Sequence, residues 1–105
     1  MCSSDLVLAP DLFVPEVVNT MWKYYRLEQW SLAVCDRTLE AALNLVDVLV
    51  PSKELYGEAF LLARATRRPA YDMFYVALAR REDATLLTTD VQLRKEAERQ
   101  GIRVA

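Results

Sequence analysis

The sequence contains no histidine among its 105 residues. Catalytic arrangements in which histidine is the base, such as Ser-His-Asp and Cys-His, are therefore excluded, and so are zinc sites with histidine ligands. The two cysteines, Cys2 and Cys35, fit no spacing of a metal or redox motif, and Cys35 lies on an apolar helix face, as a buried inert thiol would. Any chemistry must therefore come from carboxylates, hydroxyls, lysines or arginines, and oxygen ligands favour a hard cation.

Glycine, proline, long apolar runs and excess charge are also scarce. Two glycines and four prolines argue against low complexity or disorder. No apolar run approaches the roughly 20 residues that span a bilayer, and "MCSSDLVLAP" lacks the basic and long apolar regions of a signal peptide. We therefore expect a cytoplasmic protein without membrane association. The net charge of −2 gives no general attraction to nucleic acid, so any such contact must depend on a local patch.

Periodic apolar residues divide the chain into strand-like and helical segments. Apolar or β-branched runs predict four strands, at residues 6–9, 46–51, 84–89 and 102–105. Helical spacing predicts five helices, at residues 15–29, 32–46, 53–68, 70–83 and 90–100. The order β-α-α-β-α-α-β-α-β indicates a parallel sheet flanked by helices, an α/β fold. We expect residues 1–105 to form a single domain around one core.

Residues that begin and end helices support these boundaries. Ser31 and Ser52 are suited to capping the helices that follow them, because a serine hydroxyl accepts a hydrogen bond from a first-turn N–H. Pro69 ends the third helix, because the residue before a proline avoids helical backbone angles. Gly101 is suited to closing the last helix.

Four aromatic residues are concentrated around the first helix. The helical spacing places Trp22 and Tyr25 on the face expected to pack in the core, whereas Tyr24 and Trp30 fall outside that face. Aromatic side chains dominate contacts between proteins, so Tyr24 and Trp30 are candidates for a surface that binds a partner helix or a second copy.

Three acidic residues map to the carboxyl edge of the predicted sheet, where ligands bind in this class of fold. Asp90 directly follows a strand, Glu16 opens the first helix, and Asp72 opens a helix within "RPAYDMFY". Taken singly, each is also explained as a helix cap or as an acid that the helix dipole favours. If the three converge, their repulsion requires a cation, since two unit charges 4 Å apart cost roughly 4 kcal/mol. Mg²⁺ or Mn²⁺ suits such a site, which predicts metal-assisted hydrolysis of a phosphodiester.

Three segments, in order, resemble the PIN domain, the nuclease fold of VapC-type toxins. "APDLFVPEVVNTMWK" has a helix-opening glutamate after an apolar strand, matched by Glu16. "RPAYDMFYVALARR" has a Tyr-Asp before a Tyr-x-x-Leu/Ala helix, matched by Tyr71 and Asp72. "ATLLTTDVQLRKEA" has a strand that ends in Thr-x-Asp, matched by Thr88 and Asp90. The resemblance covers about residues 5–105.

The resemblance implies a Mg²⁺- or Mn²⁺-dependent endoribonuclease that acts on RNA, the toxin of a VapBC-type toxin–antitoxin system. Such proteins are often held inactive by an antitoxin protein and often form a homodimer or higher oligomer. The family's catalytic, metal-ligating carboxylates correspond to Glu16, Asp72 and Asp90. Two supporting polar positions correspond to Asn19 and Thr88, which would otherwise be a solvated helix residue and an ordinary strand residue.

Candidate cations for RNA binding adjoin the loop that leads to Asp72. Binding to a phosphate backbone needs positive charge near the site, and Arg67 and Arg68 are the residues best placed to supply it. Alternatively, both are solvated charges at the C-terminal end of a helix, where the helix dipole favours them.

The start of the sequence differs from the family pattern. PIN domains open with a central strand that ends in a metal-ligating aspartate, and this sequence begins at what matches the second strand. By resemblance we expect a PIN-like three-layer domain that is N-terminally truncated, with the family's first strand and first helix absent. Asp11 is a candidate substitute for that aspartate, although it matches an ordinary turn. Reduced or absent nuclease activity is then expected, with open strand edges that close up, pair with a strand swapped from another chain, or leave the fold loose.

Two other functions stay open. A catalytically dead PIN-like fragment would keep the partner surface and act as a binding module. An unrelated small α/β domain would use its acidic residues only as helix caps. Binding of Mn²⁺ that depends on Asp90 would distinguish the enzyme from both.

Overall fold

A computed structural model describes residues 6–86 and 91–104 of the chain. In this part of the chain the strands are β1, Leu8–Pro10, and β2, Val48–Val50. The helices are α1, Phe13–Leu27; α2, Leu32–Leu45; α3, Tyr56–Thr66; α4, Ala70–Glu82; and α5, Val91–Arg99. A short 3-10 turn, Ser52–Glu54, separates β2 from α3. None of the helices in these two ranges is long and apolar enough to cross a membrane.

The sheet consists of two parallel pairings. β1 lies beside β2 in parallel, with Leu8 opposite Val48 and Pro10 opposite Val50. Leu86 and Val104 form a separate parallel bridge. The predicted α/β fold with parallel strands is therefore confirmed, although β1 and β2 are each only three residues long. Within the described residues, no backbone hydrogen bond joins one pairing to the other.

The core is centred on α4. Met73, Val76 and Ala77 on this helix are 0% exposed. They belong to one cluster with residues of α3, α5 and the Leu86 bridge, which includes Ala59, Leu62, Leu93, Ala97 and Ile102. A second, smaller cluster joins Leu78 of α4 to Val50 and Leu55, with Leu8 packed against it. Because α4 contacts both clusters, it holds the two strand pairings in one domain.

Several predicted helix boundaries are confirmed by backbone geometry. The Ser31 hydroxyl accepts a hydrogen bond from Val34 N at 3.1 Å and caps α2. Pro69 lies between α3 and α4, and Gly101 follows α5 with a φ of 79°, a left-handed angle that glycine adopts without steric cost. The prediction that Ser52 caps a helix is wrong. Ser52 begins the 3-10 turn, and its hydroxyl donates instead to the Asp11 carboxylate.

The prediction that Trp22 and Tyr25 pack in the core is also wrong. Trp22 is 52% exposed and Tyr25 is 45% exposed, and Met21 is the buried residue of α1. The physical reason is that α1 packs mainly against α2, so only a narrow stripe of α1 is covered. The buried, reduced state predicted for Cys35 is confirmed on the facing helix.

Candidate functional site

The centre of the candidate site is a hydrogen bond between α4 and α1. The Tyr75 hydroxyl donates to Oε1 of Glu16 at 2.5 Å. Glu16 lies in the first turn of α1, directly after β1, and Tyr75 lies near the middle of α4. Both side chains line an open groove of about 280 Å³ whose walls are otherwise mostly apolar, formed by Phe13, Val17, Thr20, Met21, Thr38 and Ala42. The groove therefore places one carboxylate at the edge of an apolar surface.

Asp72 brings a second carboxylate toward the same hydroxyl. It lies in the first turn of α4, three residues before Tyr75, a spacing that puts both residues on one helix face. Burial raises the pKa of Tyr75 first, the hydrogen bond to Glu16 raises it further, and the negative charges of Glu16 and Asp72 add to both effects. Glu16 and Asp72 therefore both act on one phenol, although they come from separate helices.

Positive charge accompanies Asp72. A guanidinium nitrogen of Arg68 lies 3.6 Å from Oδ2 of Asp72, and the side chains of Arg68 and Asp72 are 18% and 34% exposed. Arg67 precedes Arg68 and ends α3 in a left-handed conformation, with a φ of 60°, and its side chain is exposed. The two arginines predicted to bind substrate thus differ: Arg68 is paired with a site carboxylate, and Arg67 faces solvent.

The other arginines near these helices are engaged away from the site. Arg64 lies over the Phe60 ring at 4.7 Å, which is a cation–π contact. Arg80 pairs with Glu58 at 3.1 Å, and Arg81 pairs with Glu54 at 2.9 Å. Arg67 and Arg68 therefore remain the better candidates for contact with an anionic substrate.

Not all of the predicted site residues can be placed. Asp90 and Thr88 lie outside the described residues, so the three-carboxylate site stays a prediction. Asn19 is exposed on α1, one turn after Glu16. Among residues 6–86 and 91–104, no group of three or more acidic or cysteine side chains is arranged to hold a metal. The structure brings together two of the three predicted acids, Glu16 and Asp72, around Tyr75.

Tyr75 is a site residue that the sequence alone did not single out. Its position three residues after Asp72 could have identified it, because that spacing places it on the same face of the predicted helix. Its partner Glu16 is 59 positions away in the sequence, so no local pattern reveals the contact.

The donor atoms of the site fit a hard divalent cation. Mg²⁺ is usually bound through one or two carboxylates, with water and substrate phosphate oxygens as further ligands. Glu16 and Asp72 offer carboxylate oxygens of this kind, and both are partly open to solvent. A softer metal would need thiolate or imidazole ligands, and the chain has no histidine.

Asp11, the candidate substitute ligand, has a different neighbour. Its Oδ1 accepts hydrogen bonds from the backbone N–H of Ser52, at 3.2 Å, and from the Ser52 hydroxyl. These bonds tie the end of β1 to the end of β2. The geometry gives Asp11 a structural role at this edge of the sheet.

The exposed aromatic residues form two stacked pairs. Tyr24 and Trp30 stack with their ring centroids 4.4 Å apart, and they are 38% and 37% exposed. Trp22 and Tyr25 stack at 6.3 Å. The expectation that Tyr24 and Trp30 lie outside the core is confirmed, and the α1 surface carries more exposed aromatic area than predicted.

Comparison with known families agrees with the fold and with the motifs. The model of the PIN domain matches residues 3–98. Searches of curated proteins and of solved structures found no significant match. PIN domains are generally nucleases and typically use divalent metal ions. Because the match covers nearly the whole sequence, this chain belongs to the PIN domain family.

Proposed function

We propose that this PIN domain is a Mg²⁺- or Mn²⁺-dependent endoribonuclease, the toxin of a VapBC-type toxin–antitoxin system. The observation that carries the proposal is the approach of Glu16 and Asp72 to the hydroxyl of Tyr75. Acids from separate helices repel one another when they converge, so the arrangement is costly without nearby positive charge or a hydrogen-bond donor. Tyr75 and Arg68 supply part of that compensation, and a bound cation would supply more.

Glu16 and Asp72 are the described residues that would hold the cation, with Asp90 as the third ligand that the family resemblance implies. A divalent cation there would supply Lewis-acid stabilisation of the charge that develops on the scissile phosphodiester. Tyr75 acts as a positioning residue. Because its pKa is raised, its hydroxyl stays protonated at neutral pH and keeps donating to Glu16, which fixes the orientation of that carboxylate.

Arg67 and Arg68 are proposed to bind the RNA backbone. Arg67 is exposed next to the first turn of α4, where Asp72 lies. A cation at this position offsets the negative charge of the site and attracts phosphate, which the overall charge of −2 does not do. Removing Arg67 should therefore weaken RNA binding without removing a metal ligand.

The antitoxin is proposed to contact the stacked pair Tyr24 and Trp30. Exposed aromatic side chains are enriched among the residues that dominate binding energy. A helix of the antitoxin laid over this pair would cover an apolar surface that α2 leaves open. Trp30→Ala should weaken such a complex by about tenfold or more, because a loss of 1.4 kcal/mol already corresponds to tenfold.

The central experiment measures cleavage of labelled single-stranded RNA with Mg²⁺ or Mn²⁺, with chelator as the blank. Asp72→Asn and Glu16→Gln should each lower the rate by about 100-fold or more, at the upper end of what loss of a metal's supporting residue costs. Asp36→Asn is the matched control, because Asp36 is an exposed acid on α2, away from the site. Its rate should equal that of the wild type.

Two results would contradict the proposal. One is cleavage that persists in chelator or in Asp72→Asn. The other is a folded wild type that neither cleaves RNA nor binds Mn²⁺ by calorimetry, which would favour the catalytically dead binding module.

A further inference from the structure

An apolar groove of about 240 Å³ separates the two strand pairings. One wall is β1 with the residues before it, including Leu8, and the other wall is residues 84–86. Leu78 and Ala79 of α4 also line the groove, and α4 is the helix that both pairings share. At its mouth, Leu6 is 46% exposed and Val7 is 43% exposed. The groove is therefore a gap in the sheet whose lining is apolar.

The β1 wall presents unpaired backbone groups to this gap. Val48 N donates to Val7 O at 3.2 Å, and Asp11 N donates to Val50 O at 2.8 Å. In a parallel ladder, backbone groups alternate between the two sides of a strand. Since Val7 and Asp11 face β2, the N–H and C=O of Leu8 face the other way. Within the described part of the chain, Leu8 has no hydrogen-bond partner on that side.

The opposite wall has the same property. Leu86 N donates to Arg103 O at 2.8 Å, so the backbone of Leu86 faces the Val104 segment. By the same alternation, the N–H and C=O of Thr85 face away from that segment. Thr85 lines the groove, and the residues that the structure describes include no backbone partner for its N–H.

We propose that this groove binds an extended apolar segment of another polypeptide chain, which pairs with Leu8 on one wall and Thr85 on the other. The occupant is identified by the walls, because their N–H and C=O groups carry partial charges that an extended backbone complements. A helix has already paired its own backbone groups. A nucleic-acid backbone would leave phosphate charge against an apolar lining. Addition of a strand to open sheet edges is an established mode of peptide recognition, and it does not depend on nuclease activity.

The test uses the full chain and a short fluorescent peptide in which valine alternates with threonine between terminal lysines. Saturable binding is expected by fluorescence anisotropy, with slower amide hydrogen exchange at Leu8 and Thr85. The same peptide with N-methyl groups at alternate residues keeps its side chains but loses donors. It should bind about tenfold more weakly or worse, as the loss of several hydrogen bonds predicts.

Two protein variants provide a matched comparison. Leu8→Pro removes an N–H that faces the groove and should weaken binding. Leu49→Pro removes an N–H from the outer edge of β2, because Val48 and Val50 are the residues whose backbones face β1. Leu49→Pro should bind the peptide as the wild type does. If either variant fails to fold, the N-methylated peptide with wild-type protein still decides the question.

Three results would overturn the proposal. The peptide fails to bind, or the N-methylated peptide binds equally well, so that the groove attracts apolar groups without pairing. The third is self-association in sedimentation with Leu8 and Thr85 already protected from exchange, which would make a second copy the occupant.

Discussion

The Tyr75 hydroxyl lies 2.5 Å from Oε1 of Glu16 and joins α4 to α1 across 59 positions of the sequence. The same phenol is influenced by the negative charge of Asp72, three residues before it on α4. This contact therefore connects the helix at the centre of the core to the helix that follows β1, and it does so at the proposed metal site. Changes at Tyr75 should affect stability and activity together.

Tyr75→Phe should destabilise the fold by about 0.5–1.5 kcal/mol, the net contribution of a typical hydrogen bond. The lower end is expected, because Glu16 is exposed and water can replace the phenol. Urea unfolding measures the change. Tyr71→Phe is the matched control, since Tyr71 is on the same helix and 67% exposed, and it should change stability by less than about 0.5 kcal/mol. Equal losses in both variants would contradict the role given to Tyr75.

The stability of the wild type should fall as the pH rises above 10.0, the ordinary pKa of tyrosine. In the fold the pKa of Tyr75 is raised by burial, by its bond to Glu16 and by both nearby carboxylates, so above that pH the unfolded chain has lost a proton that the folded chain keeps. Stability is therefore fully present below pH 10.0 and declines above it. Urea unfolding of Tyr75→Phe across this range should show a shallower decline, and a parallel decline in both proteins would refute the assignment.

Mn²⁺ should raise the melting temperature of the wild type, because a ligand that binds only the folded state stabilises it. At a metal concentration of about 100 times Kd the gain is about 2.7 kcal/mol, or on the order of 10–20 °C for a domain of this size. Differential scanning calorimetry should show this shift for the wild type and for Asp36→Asn. Glu16→Gln and Asp72→Asn should show little of it. A shift retained in both site variants would place the metal elsewhere.

Arg68→Gln should increase the affinity for Mn²⁺ by about two- to tenfold. Arg68 lies 3.6 Å from Asp72, so its charge opposes a cation that binds the same carboxylate. The same change should weaken RNA binding, because a positive charge is lost beside the site. Arg64→Gln is the control, since Arg64 lies over the Phe60 ring and forms no ion pair with Asp72 among the described contacts. Calorimetry with Mn²⁺ would contradict the prediction if affinity fell in Arg68→Gln.

The sequence predicted those features that local patterns determine. The Ser31 cap, the break at Pro69 and the glycine at position 101 each depend on a few neighbouring residues, and all were confirmed. The fold class followed from the order of strands and helices. Glu16 and Asp72 were identified because each opens a helix at the same edge of the sheet.

The errors arose where distant residues decide the outcome. Ser52 has the chemistry of a helix cap, but Asp11, 41 positions away, accepts its hydroxyl hydrogen, and a 3-10 turn forms instead. Trp22 and Tyr25 have core-like spacing, but α1 meets too few partners to cover them. Tyr75 was missed for the same reason, since its role depends on a glutamate in another helix.

The two glycines should respond to alanine with opposite signs. Neither would place a new Cβ within 4 Å of another atom, so sterically both substitutions are possible. Gly57 lies inside α3, where alanine costs less conformational entropy, and Gly57→Ala should stabilise the fold by about 0.5–1 kcal/mol. Gly101 has a φ of 79°, so Gly101→Ala should destabilise the fold by roughly 1–2 kcal/mol, because a Cβ is strained in that region. Urea unfolding of the pair tests both signs, and stabilisation by Gly101→Ala would show that the end of α5 does not hold the left-handed turn in solution.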